Sequence, residues 1–205
     1  MSKKEDLIQE LCPDGVEYKP IREIYTRVKG TPITAGKMKE ISNPNGDIKI
    51  FAGGKNQIYA FEKDIPNANI TRVPTVLVQS RGIIDVVYCD EPFTFKNEMW
   101  GYSTAEPIRV KFLFYYLKTV VPDLRQLSTG MGSLPQISLS ATEKLLIPVP
   151  PIEVQEEIVR VLDSFAELEA ELEAELEARR RQYVYYRDQL LTFNKPEIQR
   201  EREIF

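Results

Sequence analysis

Basic side chains are the first residues of this sequence whose type and spacing could do chemistry. Seven lysines and arginines lie within residues 27–63, where only Glu40, Asp47 and Glu62 oppose them. A surface with this excess of positive charge attracts phosphate groups. The same run is equally compatible with an ordinary solvated surface, so charge alone leaves both interpretations open.

Hydroxyl and amide side chains form a second group of candidates in the segment LSTGMGSLPQISL at 127–139. Its small and turn-forming residues predict an exposed loop. Loops on a rigid scaffold often carry recognition residues, so Ser128, Thr129, Ser133 and Gln136 could hydrogen-bond a polar partner. A plain connecting loop fits the same residues.

The sequence contains no histidine. This excludes Ser-His-Asp and Cys-His nucleophile systems and every zinc site with a histidine ligand. A general base would have to be a carboxylate or lysine with a shifted pKa. Cys12 and Cys89 match no metal-ligand spacing and are expected to be buried thiols, so no metal site is predicted.

The first ten residues are charged and lack the apolar run of a secretory signal. No segment approaches the ~20 apolar residues of a membrane span. We therefore expect a soluble, reduced, cytoplasmic protein.

The net charge of −4 is unevenly divided along the chain. The proline-rich segment IPVPP at 147–151 predicts an extended boundary. Before it, residues 1–150 carry 19 Lys+Arg against 17 Asp+Glu, whereas residues 151–205 carry 8 against 14. We expect a globular domain at 1–150, a helix at 151–193 and a tail at 194–205.

Short, mixed elements are predicted for the first segment. A helix is expected at 3–11, extended chain at 16–24 and a strand at 47–51. Residues 74–79 and 83–88, separated by Ser80-Arg81-Gly82, predict a hairpin, and residues 110–120 predict a buried helix. The predicted fold class is α+β: a mixed α/β globular domain followed by a long helix.

The second segment predicts one continuous helix at 153–192, because it lacks proline and glycine and is rich in Glu, Leu, Ala and Arg. About 40 residues at ~1.5 Å each span about 60 Å, and a helix of that length needs a partner along its side. Its apolar residues follow a largely heptad spacing that predicts a coiled coil. The predicted dimerisation residues are Ile158, Val161, Phe165, Leu168, Leu172, Leu176, Tyr183 and Leu190.

Three copies of the sequence ELEA stand in tandem at 167–178. Each copy adds about 6 Å to a helix and only ~40° of net rotation. A low-complexity acidic helix surface is one interpretation, and a helix that sets a distance is the other.

The run at 130–165 resembles the specificity subunit of type I restriction-modification enzymes. The resemblance rests on Gly132-Ser133, on IPVPP at 147–151 and on Gln155 at the start of the long helix. Two earlier segments also look like that family: LCPDGVEY at 11–18 as its entry segment, and VQSRG at 78–82 as its strand followed by a basic turn.

The resemblance implies a DNA target recognition domain and a conserved spacer helix. A full subunit of that family has two of each, whereas this chain has residues for one of each. The family's arrangement would then be completed by a second copy, as a homodimer with antiparallel helices that reads a bipartite inverted-repeat site. Methylation, translocation and cleavage would belong to methyltransferase (M) and restriction (R) subunits, and the chain itself would be no enzyme and need no cofactor.

Charge, loop placement and the family-like segments indicate ten candidate DNA-binding residues. The basic ones would contact phosphates and the polar ones base edges. They are Lys29, Thr31, Lys37, Lys55, Asn56, Arg81, Lys96, Asn97, Ser133 and Gln136.

Two other classes of function remain open from the residues. One is a coiled-coil protein-interaction module with a globular domain that does not bind DNA. The other is a carboxylate-based nuclease, in which four acids could hold a divalent ion, although their spacing is nonspecific and solvated acids are the more common case. The four acids are Asp85, Asp90, Glu91 and Glu98.

Overall fold

The computed structural model describes residues 3–54, 56–128 and 135–193, and the chain divides into two compact units, 1–160 and 161–205. In chain order the elements are α1 (Lys3–Leu11), β1 (Tyr18–Pro20), α2 (Ile21–Ile24), β2 (Thr26–Val28), α3 (Ala35–Ile41), β3 (Ile48–Phe51), β4 (Gln57–Ala60), a 3-10 turn (Glu62–Asp64), β5 (Thr75–Gln79), β6 (Asp85–Cys89), β7 (Phe93–Phe95), β8 (Trp100–Ser103), α4 (Pro107–Gln126), α5 (Leu139–Glu143), β9 (Leu146–Pro148) and α6 (Ile152–Leu191).

The larger sheet has the antiparallel order β2-β8-β5-β6. Its β5–β6 pair is the predicted hairpin, with Val76 opposite Tyr88. Every residue of β5 is buried, because β5 has a strand on each side and α4 packs against it. Val110 and Leu113 of α4 are fully buried in the same core as Val76, which explains why this helix is so apolar.

The smaller sheet has the order β4-β3-β7, in which β3 and β7 run parallel. Ile48 and Ile50 of β3 pack with α3 in one small core, whereas Phe51 packs with Phe93 and Phe95 in another. The alternation of β3 side chains between its two faces therefore builds two small cores. The first unit is an α+β domain, which confirms the predicted fold class.

Residues 16–24 are not extended throughout, so that prediction was wrong in part. Only β1 is a strand, paired with β9, and Ile21–Ile24 form a single helical turn. The Tyr25 N–H donates to the Ile21 carbonyl at 2.9 Å and closes this turn. Burial of Ile21 in the main core favours the turn over the extended chain that its β-branched side chain suggests.

The two cysteines differ in burial. Cys89 is buried, and burial raises the pKa of its thiol to about 11. Cys12 is only half-buried, contrary to the expectation of a buried thiol at both positions.

Helix α1 buries no residue of its own, and an ion pair connects it to the start of α6. Lys3 Nζ lies 3.0 Å from Glu157 Oε2, and Arg160 lies 2.7 Å from the other carboxylate oxygen. Hydrogen bonds from Arg160 and Lys3 hold the pKa of Glu157 at about 2. The carboxylate is therefore charged throughout the physiological range and ties two helices of the first unit together.

Helix α6 agrees closely with the predicted range 153–192. Val154, Gln155, Glu157 and Val159 near its start are buried within the first unit. In the second unit the helix residues that follow 163 are exposed, and Phe165, Leu172 and Leu190 are 64%, 66% and 74% exposed. No helix in the described ranges is long and apolar enough to cross a membrane.

A buried hydroxyl joins α5 to β8. Thr142 is fully buried, and its Oγ1 lies 2.9 Å from Trp100 Nε1 and 2.7 Å from the Tyr102 hydroxyl. We expect Thr142→Val to lower the free energy of unfolding by about 1–3 kcal/mol, because it leaves the Trp100 N–H without its acceptor. Urea denaturation measures this. Thr142→Ser keeps the acceptor and serves as the control, and equal loss in both variants would contradict the role of the hydroxyl.

Candidate nucleic-acid interface

Four turns that are distant in sequence meet at one place in the first unit. They are residues 52–56 between β3 and β4, 80–82 after β5, 96–98 after β7, and 135–137 before α5. The Lys96 N–H donates to the Phe51 carbonyl at 3.0 Å, and the Gly82 N–H donates to the Pro135 carbonyl at 2.9 Å. We call these residues, as far as the structure describes them, the turn cluster.

Ser80 lies at the centre of the turn cluster and is 1% exposed. Its hydroxyl donates to the Glu98 carbonyl, and its own carbonyl accepts from the Ile137 N–H at 3.0 Å. A single buried serine therefore fixes three of the four turns to one another. Ser80 is not among the residues predicted from the sequence to bind DNA, although it stands directly before Arg81 in the VQSRG segment.

The fourth turn approaches through its glycines. Gly54 has a φ of +70°, a conformation that favours glycine. A β-carbon on Gly53 would lie 3.7 Å from Glu98 Oε1 and 4.0 Å from the Arg81 carbonyl oxygen, and the Gly53 backbone hydrogen-bonds the Glu98 carboxylate. The backbone at 53 thus lies directly against two other turns.

The charges of the cluster are only partly paired. Lys96 Nζ lies 2.9 Å from Glu98 Oε1. Burial acts to raise the pKa of Glu98, but the Lys96 hydrogen bond and two backbone hydrogen bonds outweigh it, so that the pKa is lowered. Arg81 is exposed and forms no ion pair with any residue that the structure describes. Its guanidinium is therefore available to an external anion.

The turn cluster contains half of the ten candidate DNA-binding residues. The Arg81 and Gln136 backbones pair as an antiparallel bridge, and Asn97 lies between Lys96 and Glu98. The side chains of Asn56, Asn97 and Gln136 are exposed, and Asn56 Nδ2 donates to the Gly53 carbonyl at 3.3 Å. Cations and amides thus share one exposed surface.

Thr31 lies inside the domain and is 7% exposed. Its hydroxyl is 2.7 Å from the Thr94 hydroxyl and accepts from the Asn69 N–H at 2.8 Å. Its backbone pairs with Lys96 in a parallel bridge. Thr31 therefore contacts the turn cluster through its backbone, and exposed Lys29 stands two residues before it.

Lys37 belongs to a different part of the surface. It lies in α3, where its ammonium is 2.9 Å from Glu40 Oε1, and it borders a recess of about 430 Å³ formed with residues 31–34 and 64–67. The remaining two candidates, Lys55 and Ser133, lie outside the described residues, as does Thr129.

The acids considered as a divalent-ion site are paired with separate lysines. The pairs are Asp85–Lys118 at 2.8 Å, Glu91–Lys49 at 2.7 Å and Glu98–Lys96 at 2.9 Å. Burial acts to raise the pKa of Asp85, but the Lys118 hydrogen bond and the other nearby donors and cations outweigh it and lower the pKa. Within the described residues, no group of three acids or cysteines is arranged to hold a metal ion.

Comparison with known proteins identifies a family whose model matches most of the chain. Residues 13–178 match the model of the type I restriction modification DNA specificity domain. The chain is 42% identical over 112 residues to the type I restriction enzyme EcoprrI specificity subunit of Escherichia coli, which is 49% of this chain and 28% of that protein. It is 31% identical over 172 residues to the EcoR124I/EcoR124II specificity subunit of the same organism, 82% of this chain and 38% of that protein.

A solved structure shares the fold. The type I restriction-modification S subunit from M. genitalium superposes with a TM-score of 0.62 at 22% identity, over 81% of this chain and 43% of that one. The chain thus spans less than half the length of each of these relatives.

The turn cluster should depend on the Ser80 hydroxyl. Ser80→Ala leaves the Glu98 carbonyl without its donor, and we expect the free energy of unfolding to fall by about 1–3 kcal/mol. Urea denaturation measures the change. The control is Ser140→Ala on the exposed side of α5, which we expect to stay within about 0.5 kcal/mol of wild type. A Ser80→Ala variant as stable as this control would contradict the role assigned to Ser80.

Proposed function

The chain belongs to the family of type I restriction modification DNA specificity domains, and from that premise we propose that it reads duplex DNA with its turn cluster. The observation that carries the proposal is the meeting of Asn56, Arg81, Lys96, Asn97 and Gln136 from four separate turns on one surface. Residues 1–150 form the target recognition domain in this proposal.

Cationic and amide side chains have different roles in the proposed contact with DNA. Arg81, Lys96 and Lys29 contact phosphate oxygens and fix the position of the domain on the duplex. Asn56, Asn97 and Gln136 read base edges, because an amide offers a donor and an acceptor together and can bind adenine through both. Thr31 holds the turn of Lys96 from inside, and Lys37, Lys55 and Ser133 are further candidate contacts.

The long helix brings two copies of this recognition domain together in the proposal. We propose that residues 151–193 pair with the same helix of a second copy, antiparallel, along a shared apolar row. A two-fold pair of identical domains reads an inverted repeat divided by unread base pairs. The residues of the apolar row are Ile158, Val161, Phe165, Leu168, Leu172, Leu176, Tyr183 and Leu190. The exposure of Phe165, Leu172 and Leu190 within the chain supports this pairing.

Catalysis lies elsewhere in this proposal. The chain binds DNA without a cofactor and presents it to methyltransferase (M) and restriction (R) subunits, which carry out modification and cleavage. The separate pairing of Asp85, Glu91 and Glu98 with lysines supports a binding role over that of a carboxylate nuclease.

The first prediction of this proposal concerns Arg81. If its guanidinium contacts a phosphate, Arg81→Ala weakens binding to a mixed-sequence duplex and makes the slope of log affinity against log salt less steep by about 1 for each copy bound. Fluorescence anisotropy over a salt series, with the methyltransferase partner present, measures both quantities.

The matched control for Arg81 is Arg22→Ala, which removes an exposed arginine from α2, outside the turn cluster. We expect the control to keep the wild-type slope. Equal slopes for the two variants would place the DNA contact elsewhere on the domain. Binding that is absent in the wild type at low salt would instead favour a protein-interaction module.

The second prediction concerns the ELEA repeat. Deletion of residues 171–174 shortens each helix of the pair by about 6 Å and should shorten the unread spacer by at least about one or two base pairs, with the half-site sequences unchanged. Insertion of one more ELEA copy should lengthen the spacer by the same amount. A map of modified bases in hosts that carry each variant and the methyltransferase partner measures the spacing. An unchanged spacer in both would contradict the role of the helix in setting distance.

A further inference from the structure

Charge is segregated along the part of α6 that lies in the second unit. From 161 to 177 the helix carries seven acidic residues and no basic one, whereas from 179 to 191 it carries four arginines and one aspartate. These side chains are exposed, apart from half-exposed Asp163. We call the two stretches the acidic half and the basic half of the helix.

Ion pairs within the chain neutralise only the boundary between the halves. Arg179 lies 3.3 Å from Glu175, and Arg181 lies 3.6 Å from Glu177, both on exposed side chains where such pairs contribute little. Among the described residues, Glu167, Glu169, Glu171 and Glu173 form no ion pair within the chain. The acidic half therefore retains most of its charge for an external partner.

We infer that this segregation of charge fixes the direction of pairing with a second copy of the chain. The inference rests on the proposed homodimer and adds what selects its geometry. In an antiparallel pair, each acidic half lies along the basic half of the other copy. In a parallel pair, acid lies along acid and base along base, which is unfavourable at both ends.

The apolar row favours the same arrangement. If the two helices cross between Glu177 and Ala178, where acid gives way to base, Phe165 lies level with Leu190 of the second copy. Leu172 then lies level with Tyr183 of the second copy. Phe165 and Leu172 are thus covered by Leu190 and Tyr183 in the register that the boundary of charge marks.

The arginines meet glutamates in this register. Arg187 of one copy lies level with Leu168 of the other, which stands between Glu167 and Glu169. Arg180 lies level with Glu175 of the other copy. Charges that flank an apolar row in this way determine partner and orientation in coiled coils. The surface therefore accepts a helix with the same order of charges, and rejects a purely acidic or purely basic one.

Charge reversal tests the inference. One variant carries Glu169→Arg, Glu173→Arg and Glu175→Arg, which places arginines beside Arg180, Arg181 and Arg187 of the second copy in this register. The other carries Arg180→Glu, Arg181→Glu and Arg187→Glu, which makes it predominantly acidic. Both residue types favour helix, so the helix is retained, which circular dichroism checks. We expect each variant to self-associate at least about tenfold more weakly than wild type at low salt, as measured by isothermal dilution calorimetry.

Two controls restore attraction between the charges of the two helices by combining both sets of substitutions. A mixture of the two variants should associate about as tightly as wild type, because opposite charges again face each other. A single chain that carries all six substitutions should also recover self-association, because each introduced arginine again lies beside an introduced glutamate of the other copy. Salt should weaken wild-type association, since it screens attraction in the antiparallel pair and would screen repulsion in a parallel one.

Cross-linking tests the direction itself. Mixed chains carrying Phe165→Cys and Leu190→Cys should form a disulfide between 165 and 190, and wild type, with Cys12 and Cys89 alone, provides the background. Disulfides between two copies of residue 165 would overturn the inference. If both charge-reversed variants dimerise as tightly as wild type, the inference is overturned and the homodimer remains supported. A monomeric wild type would overturn both proposals.

Discussion

A long helix in water gains most of its stability when its apolar row is covered, and this constraint governs the second unit of the chain. Residues 161–191 contribute no buried residue to a core, and Phe165, Leu172 and Leu190 are more than half exposed. Helices in water gain most of their stability from packing of an apolar side. In the proposed dimer a second copy covers this surface, and the segregated charges beside it orient that copy.

In the first unit, a buried core supports a polar surface. The larger sheet and α4 form the main core, and β3 divides its side chains between two smaller cores. The turns between these strands need not be rigid by themselves, because Ser80 and the backbone at Gly53 join them. Exposed amides and cations are thereby held on a fixed frame, which is what recognition of base edges at defined positions requires.

Local patterns predicted the local elements well. The absence of proline and glycine predicted α6 within a residue or two, and the Ser80-Arg81-Gly82 break predicted the β5–β6 hairpin. The meeting of the turns depends on the parallel pairing of β3 with β7 and on the bridge between Arg81 and Gln136, both between residues about 40 or more positions apart. Periodicity contains no information on such pairings. For the same reason, the sequence could not reveal that Thr31 faces Thr94 inside the domain.

We propose that a second copy of this chain covers the apolar row of α6 and thereby places a second recognition domain on the DNA. Sedimentation equilibrium of the purified chain at micromolar concentration tests this most directly. We expect a particle of twice the mass of one chain, which Leu172→Lys converts to single chains by placing a charge in the row. A wild-type particle with the mass of one chain at that concentration would contradict it.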